Sequence, residues 1–190
     1  MGRVIWKPGN MLYPVPAVLV SVQGKEGNDN LITVAWTGTV CSEPAMTYVS
    51  VRRERYSYTL LKETGEYVIN LVPAGLARAL DLCGVKSGRD GDKFALAGLT
   101  RLASAEVKPP SVAECPVSIE CRVTQVLELG SHDMFLGKVA AVTVDKTLLQ
   151  PSGKLDLSRA NLITYSHGEY FAPGRELGNF GFSVKKRQKQ

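Results

Sequence analysis

A short segment in the first third of the chain concentrates side chains that can bind phosphate. It contains three arginines and three hydroxyl residues, namely Arg52, Arg53, Arg55, Ser57, Tyr58 and Thr59. We interpret Ser57 as the N-cap of a short helix that ends at Gly65. The first turn of a helix offers unpaired N–H groups and the positive end of a dipole, and an arginine can form bidentate hydrogen bonds with phosphate oxygens. The segment therefore predicts an anion site, while an ordinary solvated basic turn is the alternative that the same residues allow.

Alternating strands on both sides position this segment. Leu31–Trp36 and Met46–Val51 alternate in polarity, which is typical of half-buried strands. Ser42–Pro44 breaks the pattern between them, and Tyr67–Leu71 forms a third strand after the helix. Residues 30–70 are therefore predicted to fold as strand, loop, strand, helix and strand.

Further strands and one more helix complete the predicted architecture. The strands are Ala17–Val22, Val117–Leu129, Met134–Val144 and Asn161–Tyr165, and the second helix runs from Pro73 to Gly84. The turn at 24–30 makes the first two strands antiparallel neighbours. Hairpin spacing without a repeated βαβ rhythm predicts a mainly β fold, in which six to seven antiparallel strands close into a barrel with short flanking helices. Side chains fill a barrel of this size, so a large ligand would bind outside it, in a groove that a second subunit completes.

Length, charge and cysteine content narrow the class of protein. The 190 residues suit one domain, which we assign to 1–180, followed by a basic tail at 181–190 that we expect to be disordered. Four basic residues in the last six positions account for most of the net charge of +5, so we predict no nucleic-acid partner. No signal peptide opens the chain, no apolar run reaches the ~20 residues of a membrane span, and the four cysteines form no CxxC motif. These features predict a cytoplasmic protein in the reduced state, without a membrane partner.

Several common catalytic patterns do not occur in the sequence. It contains neither GxGxxG nor GxxxxGK[ST], which disfavours the dinucleotide fingerprint and the P-loop. It contains no GxSxG and no pair of carboxylates placed for acid–base work, so a hydrolase is disfavoured. Cys115, Cys121, His132 and His167 lack the spacing of a zinc site, and we predict no metal.

Four blocks of sequence resemble the flavin reductase-like, FMN-binding split-barrel family, in its flavoredoxin-like branch. They are the segment 30–70 with TVAWTG, SVR, SYTLL and GEYVIN, LCGVKSGRDGDKFALAGL at 82–99, SHDMFLGKV at 131–139, and YSHGEYFAPGRELG at 165–178. Each block alone is a weak signal, but the four occur in order and span nearly the whole chain. The resemblance implies a Greek-key split barrel that binds FMN at the interface of a homodimer.

The resemblance also implies a redox function. The leading hypothesis is an FMN-binding oxidoreductase that takes a hydride from NADH or NADPH and passes electrons to free flavin, ferric iron or a redox partner. The alternative is a flavoredoxin-type electron-transfer flavoprotein without a small-molecule substrate of its own. A split barrel of the pyridoxamine-phosphate-oxidase or flavin-storing kind is a third hypothesis, and His132 in its turn favours the first over the third.

Residues in each block acquire a cofactor-binding role from the resemblance. The backbone around Thr33, Ala35, Trp36 and Thr37 would bond the flavin ring edge, with Trp36 as a wall. Ser50, Val51 and Arg52 would flank the isoalloxazine and the ribityl chain, and Ser57, Tyr58 and Thr59 would take the phosphate. Asn70 would end the third strand near the cofactor, Cys83 and Ser87 would belong to a lid, Gly88 would let backbone N–H groups approach the ligand, and Lys93 would lie in the hinge of the lid. The residues alone leave open a core aromatic at Trp36, a turn-forming Asn70 and a buried apolar Cys83.

His132 is the predicted catalytic residue. It occupies a tight turn between two long strands, where a surface histidine is the plain alternative. In the family that the chain resembles, the histidine of this motif faces the flavin where the nicotinamide docks. It would guide the hydride donor, because hydride transfer needs alignment more than proton chemistry. His167 and Tyr170 would line the same mouth.

Overall fold

Twelve strands and three α-helices make up a computed structural model, which describes residues 2–184. The strands are β1 Val15–Pro16, β2 Val18–Gln23, β3 Asp29–Val34, β4 Thr37–Ser42, β5 Ala45–Val51, β6 Glu66–Leu71, β7 Arg101–Leu102, β8 Ser111–Val112, β9 Val117–Glu128, β10 Asp133–Val144, β11 Thr164–Ser166 and β12 Glu169–Phe171. The helices are α1 Tyr56–Thr64, α2 Ala77–Val85 and α3 Lys93–Ala97. Short 3₁₀ turns occur at Ala74–Leu76, Lys146–Leu148, Leu157–Ala160 and Phe182–Val184.

One antiparallel sheet of seven strands forms the barrel, in the order β3-β2-β6-β9-β10-β5-β4. The two edge strands, β3 and β4, follow one another in the chain through Ala35 and Trp36. They do not pair with each other, so the barrel is split along this seam, and a bond of 2.9 Å from the Ser50 amide to the Trp36 carbonyl links its two sides. The predicted mainly β, split-barrel fold with short flanking helices is confirmed.

Apolar side chains fill the inside of the barrel. Val20, Val22, Tyr67 and Phe135 belong to this cluster and are almost completely buried. A second cluster, which includes Leu31 and residues of α2 and α3, packs on the outer face of the β3 end of the sheet. Each large side chain that is buried in this way contributes about 1.5–3 kcal/mol. The filled interior leaves no room for a large ligand, which must bind on the outside.

Two local predictions were wrong. Helix α1 begins at Tyr56 with Arg55 as its N-cap, so Ser57 lies inside the first turn and does not cap the helix. The predicted loop after β3 contains a further strand, β4, and the Glu43-Pro44 breaker forms its hairpin turn with β5. Lys93, for which a hinge is predicted, lies at the start of α3, and Asp92 caps this helix by accepting a bond of 3.0 Å from the Phe94 amide.

The end of the chain is only partly described. Residues 181–184 include a single 3₁₀ turn, and the rest of the predicted basic tail, 185–190, lies outside the described residues. Among residues 2–184, no helix has both the length and the apolar character needed to cross a membrane.

Candidate functional site

A continuous groove follows the split in the barrel, from the β9–β10 turn to the start of α1. Its wide end has a volume of about 770 Å³ and lies between Trp36, Tyr48 and His132. A middle part of about 280 Å³ shares Trp36, Arg52 and His132 with the wide end. A narrow end of about 210 Å³ shares Ile32 and Arg55 with the middle part and reaches the first turn of α1. The groove is therefore elongated, with chemically different ends.

The backbone of β3 forms one wall of the middle part. The Leu31 carbonyl accepts a bond of 2.8 Å from the Lys93 ammonium, so it points away from β2, the one strand of the described residues 2–184 that pairs with β3. The backbone N–H and C=O groups of successive residues point to opposite sides of a strand, so those of Thr33, two residues after Leu31, also point away from β2. Ala35, just after the end of the strand, continues this edge. Unpaired N–H and C=O groups on a strand edge need polar partners. A planar ring with amide-like edges supplies both donors and acceptors of this kind.

Lys93 is the most unusual residue of the narrow end. Its side chain is 4% exposed, and its ammonium donates to the carbonyls of Leu31 at 2.8 Å and Cys83 at 2.7 Å. Within residues 2–184 no carboxylate forms a salt bridge with it. Burial lowers the pKa of Lys93 to about 8. A buried ammonium without a counter-ion is costly, and its third N–H remains available to an anion that enters the groove.

The start of α1 supplies further donors to the narrow end. Ser57 is buried, and its hydroxyl oxygen accepts a bond of 2.8 Å from the Asn30 amide, so its own proton remains free to be donated. The N–H groups of Tyr56 and Ser57 precede the first bonds of the helix and have no partner inside it. Gly88 closes the loop over this turn, and a Cβ there would collide with the Asn30 amide and the Tyr56 ring. These donors make the narrow end suited to an anion.

Two of the three arginines face the groove. Arg52 is half-exposed and has one ion pair of 3.5 Å, to Glu54, while Arg55 donates weakly to the Gly84 carbonyl at 3.4 Å. Arg53 does not line the groove, because Asp133 binds its guanidinium. The groove therefore carries positive charge along its length, and Arg53 serves a different purpose.

His132 lies where the wide end and the middle part meet. Its Nδ1 is 2.9 Å from the Ser131 hydroxyl, and its ring lies in the same wall as Arg52 and Ser50. Burial and then the charges of Arg52 and Arg55 hold the pKa of His132 below its ordinary value, so the ring is neutral at pH 7. The wide end also has apolar walls, with Trp36 and Met134 among them. This arrangement suits the face of a flat, uncharged ring.

The structure brings most of the predicted residues together. Those that line the groove are Thr33, Ala35, Trp36, Ser50, Val51, Arg52, Ser57, Ser87, Gly88, Lys93 and His132. The predicted residues outside its lining are Thr37, Tyr58, Thr59, Asn70 and Cys83. Of the two residues predicted at its mouth, His167 packs against Tyr13 with ring centroids 5.9 Å apart, and Tyr170 donates to Asp81 at 3.3 Å.

Each residue outside the lining has a physical reason to be there. Asn70 is fully buried within the sheet, where it donates to the Leu19 carbonyl at 3.1 Å and accepts from the Val112 amide at 2.9 Å. Tyr58 donates to Asp133 at 2.6 Å, and Thr37 donates to the Tyr48 carbonyl at 2.6 Å. Thr59 points to solvent from the far side of the first turn of α1. Cys83 is buried in the second apolar cluster, and burial raises the pKa of its thiol to about 11.

Sequence reasoning missed several residues that build the groove. Asn30 and Tyr56 line the narrow end, and Asp133 binds Arg53 in the segment beside it. Asn30 offered a signal, since an amide inside an otherwise apolar strand demands a hydrogen-bond partner. Asp133 offered none, because its partners lie 75 and 80 positions away in the chain.

Comparison with known proteins identifies the class to which this fold and groove belong. The chain belongs to the flavin reductase like domain family, whose model matches residues 10–172. Its structure is similar to the flavoredoxin of Desulfovibrio vulgaris (Miyazaki F), with a TM-score of 0.89 and 30% identity over 97% of this chain and 100% of that chain. It is 32% identical over 160 residues to an uncharacterised protein of Archaeoglobus fulgidus, covering 84% of this chain and 88% of that protein. It is also 25% identical over 126 residues to the FMN reductase (NADH) RutF of Variovorax paradoxus, covering 66% of this chain and 67% of that protein. The family predicted from the sequence is confirmed.

Proposed function

We propose that the protein is an FMN-binding oxidoreductase that takes a hydride from NADH or NADPH and passes the electrons to free flavin, ferric iron or a redox partner. The observation that carries the proposal is the buried ammonium of Lys93 beside the first turn of α1, at the narrow end of an elongated groove. Bound FMN supplies the redox chemistry through its ring, and the protein holds and orients it. Membership of a flavin reductase-like family and the likeness to an FMN reductase support this assignment.

The two ends of the groove suit the two ends of FMN. A phosphate in the narrow end would be the counter-ion that Lys93 lacks, and it would accept hydrogen bonds from the free N–H groups of Tyr56 and Ser57. The polar edge of the ring would lie along the backbone of Thr33 and Ala35, with Trp36 as a wall. Arg52 and Ser50 would flank the chain that joins the ring to the phosphate. The order of these groups along the groove matches the order of the parts of the cofactor.

FMN is preferred over FAD because the chain belongs to a flavin reductase-like family and is similar to an FMN reductase. The Arg89 guanidinium lies 5.4 Å from the centroid of the Tyr56 ring and donates to the Glu54 carbonyl at 3.3 Å. Arg89 and Gly88 line the narrow end, so both would lie beside a phosphate bound there.

His132 would orient the hydride donor. The ring is neutral, so it binds a carboxamide by hydrogen bonding and adds no charge beside the nicotinamide. The apolar side chains around it would hold the nicotinamide against the flavin, and this alignment is the main contribution that a protein makes to hydride transfer. No proton transfer from His132 is needed.

The second hypothesis, a flavoredoxin-type electron carrier, is supported by the similarity to the flavoredoxin of Desulfovibrio vulgaris. The two functions differ in whether a nicotinamide reduces the flavin directly. We therefore propose anaerobic mixing of the purified protein, loaded with FMN, with NADH and separately with NADPH, while the absorbance near ~450 nm is recorded. Bleaching by either nicotinamide within seconds supports the reductase. A flavin that stays oxidised with both but is bleached by dithionite would exclude it and favour the carrier.

A homodimer with FMN at the interface is part of the proposal. Apolar side chains are fully exposed on both terminal segments, for example Ile5, Leu12 and Phe180 at 102%, 87% and 107%. Residues 9–12 of the first segment also line the wide end of the groove. A second copy of the chain that covers these segments would complete the site, since exposed apolar groups of this number mark an interaction surface. The cytoplasmic location stays a prediction from the sequence.

A further inference from the structure

Asp133 is a buried carboxylate that joins two separate parts of the chain. It has no exposed surface and lies at the first position of β10, directly after His132. Arg53 donates to it through Nε at 3.0 Å and through Nη2 at 2.8 Å, and the Tyr58 hydroxyl donates to it at 2.6 Å. These bonds tie the segment between β5 and α1, together with the first turn of α1, to the turn that carries His132.

Asp133, Arg53 and Tyr58, which we call the Asp133 cluster, make no contact with the groove themselves. The flanking residues do, because Arg52 before Arg53 and Arg55 after it both line the groove, and Ser57 directly precedes Tyr58. The Tyr58 ring is also held against Phe135, with centroids 5.6 Å apart. The cluster therefore fixes the direction in which the donors of the narrow end point.

The charge of the cluster matters as much as its shape. The hydrogen bonds from Arg53 and Tyr58 hold the pKa of Asp133 below its usual range, so the carboxylate stays ionised. Glu128 adds a second ion pair of 3.1 Å to Arg53, while Lys62 faces the Tyr58 ring from the next turn of α1. Without the Asp133 carboxylate, the Arg53 guanidinium would keep only its ion pair with the exposed Glu128, and the segment would be held less firmly in one conformation.

We propose that Asp133 is a positioning residue for phosphate recognition, which acts by holding Arg53 and Tyr58 so that residues 55–57 between them present their donors to the cofactor phosphate. This inference rests on the proposed function, because it needs the phosphate of FMN in the narrow end. It separates the arginines by role, with Arg52 and Arg55 facing the ligand and Arg53 serving the fold of the segment. Binding of the flavin ring depends on other residues and does not need the cluster.

The test compares FMN with riboflavin, which has the same ring and ribityl chain but no phosphate. Affinities of both are measured by fluorescence quenching for the wild type and for Asp133→Asn, which keeps the size of the side chain and removes its charge. We expect Asp133→Asn to weaken FMN binding about tenfold and to change riboflavin binding by less than about twofold. A general loss of structure would weaken both ligands equally, so the ratio of the two affinities separates positioning from folding.

Two further variants keep the test informative if Asp133→Asn does not fold. Arg53→Gln and Tyr58→Phe each remove one partner of Asp133, and both are expected to lower the ratio of FMN to riboflavin affinity. The double variant Arg53→Gln with Asp133→Asn is expected to lower this ratio no further than the more strongly affected of the two single variants, because the residues act as a unit. An unchanged ratio in these variants would overturn the inference. A wild-type protein that binds riboflavin as tightly as FMN would instead count against the phosphate site of the proposed function.

Discussion

Lys93 has no salt-bridge partner among the described residues, so the effect of pH on FMN affinity tests whether it binds the phosphate. Burial lowers its pKa to about 8 in the free protein. A bound phosphate favours the charged ammonium, so FMN binding takes up a proton above this pH. Below pH 8 the ammonium is already present, and affinity is expected to change little until the phosphate itself gains a proton near about pH 6.

The resulting prediction concerns affinity at alkaline pH. FMN should bind about tenfold more weakly at about pH 9.5 than at about pH 7.5, because free Lys93 is neutral at the higher pH and must be protonated on binding. Titrations of the apoprotein at both pH values measure this difference. Riboflavin is the control, since without a phosphate it should show no such dependence. A constant FMN affinity across this range would mean that Lys93 does not bind the phosphate.

A negative charge at Ser57 should exclude a phosphate from the narrow end. Ser57→Asp places a carboxylate beside the free N–H groups of the first turn, and we expect FMN affinity to fall by about a hundredfold through repulsion and loss of those donors. Thr59→Asp adds the same charge to the same helix at an exposed position outside the groove, and it should leave FMN affinity within about threefold. Equal losses in the two variants would point to a change in the helix and not to the site.

His132 is expected to affect binding of the nicotinamide that donates the hydride, and not binding of FMN. In His132→Ala, FMN should stay bound while anaerobic reduction by the nicotinamide that the wild type uses slows by about ten- to a hundredfold. Because the pKa of His132 is held below its ordinary value, the wild-type rate should not rise or fall with this group above about pH 7. His167→Ala is the matched control, since that ring packs against Tyr13 outside the groove lining. A normal reduction rate in His132→Ala would remove His132 from the mechanism.

At the scale of elements, α3 places Lys93 although the helix is only one turn and a half long. Arg101 fastens its start, with bonds of 2.7 Å to Asp29 and 2.8 Å to Asp92 and its guanidinium 4.2 Å from the centroid of the Phe94 ring. These contacts connect α3 to β3, the strand whose carbonyl Lys93 also binds. Loss of this fastening should loosen the narrow end of the groove before it affects the barrel.

Arg101→Ala tests this link. We expect it to weaken FMN binding about fivefold and to lower the free energy of unfolding by only about 1 kcal/mol, because the side chain is partly exposed and solvent screens its ion pairs. Hydrogen exchange should become faster at 93–97 and stay unchanged in β9 and β10. Arg122→Ala is the control, as it removes ion pairs of similar exposure to Glu66 and Glu106, away from the groove. The same loss of FMN binding in both variants would contradict the role of α3.

Helices and strands that are determined by their own sequence could be predicted, and those that depend on tertiary contacts could not. The strands β5, β9 and β10 were predicted because alternation over many residues has no helical interpretation. The end of α1 was predicted because glycine readily adopts the left-handed conformation of a helix C-cap, and Gly65 has this conformation with φ of 66°. Strand β4 was missed because its sequence, TGTVCS, carries a glycine and little alternation, and it is held by pairing with β5. Helix α3 was missed because five residues give no periodicity, and tertiary contacts stabilise it.

The same distinction explains the site. Ser57 was first predicted from its place at a helix start, and Gly88 and Lys93 were assigned to the cofactor site by the family resemblance. Both kinds of reasoning mark positions but not the direction in which side chains point. Asn70 and Tyr58 occupy equally marked positions, yet one binds within the sheet and the other binds Asp133. Only the paired register of β6 with β9 and of β5 with β10 decides these directions, and a single sequence does not contain it.

At the scale of the whole molecule, the exposed terminal segments predict the assembly. Light scattering should give a mass about twice the 20.6 kDa of the chain, because a second copy would cover the apolar residues on both segments. Ile5→Asp combined with Leu12→Asp should shift the protein toward the monomer and weaken FMN binding, since residues 9–12 line the groove. Ser152→Asp, in an exposed loop, is the control for added charge. A wild-type protein that stays monomeric at high concentration would contradict the dimer.

The proposal as a whole depends on a flavin phosphate in the narrow end of the groove, and a crystal structure of the protein grown with FMN measures this most directly. We predict electron density for the phosphate within hydrogen-bonding distance of the Ser57 amide and the Lys93 ammonium, with the ring beside the backbone of Thr33 and Ala35. Density for FMN elsewhere, or a groove occupied by the side chains of the protein itself in crystals that contain saturating FMN, would contradict the account.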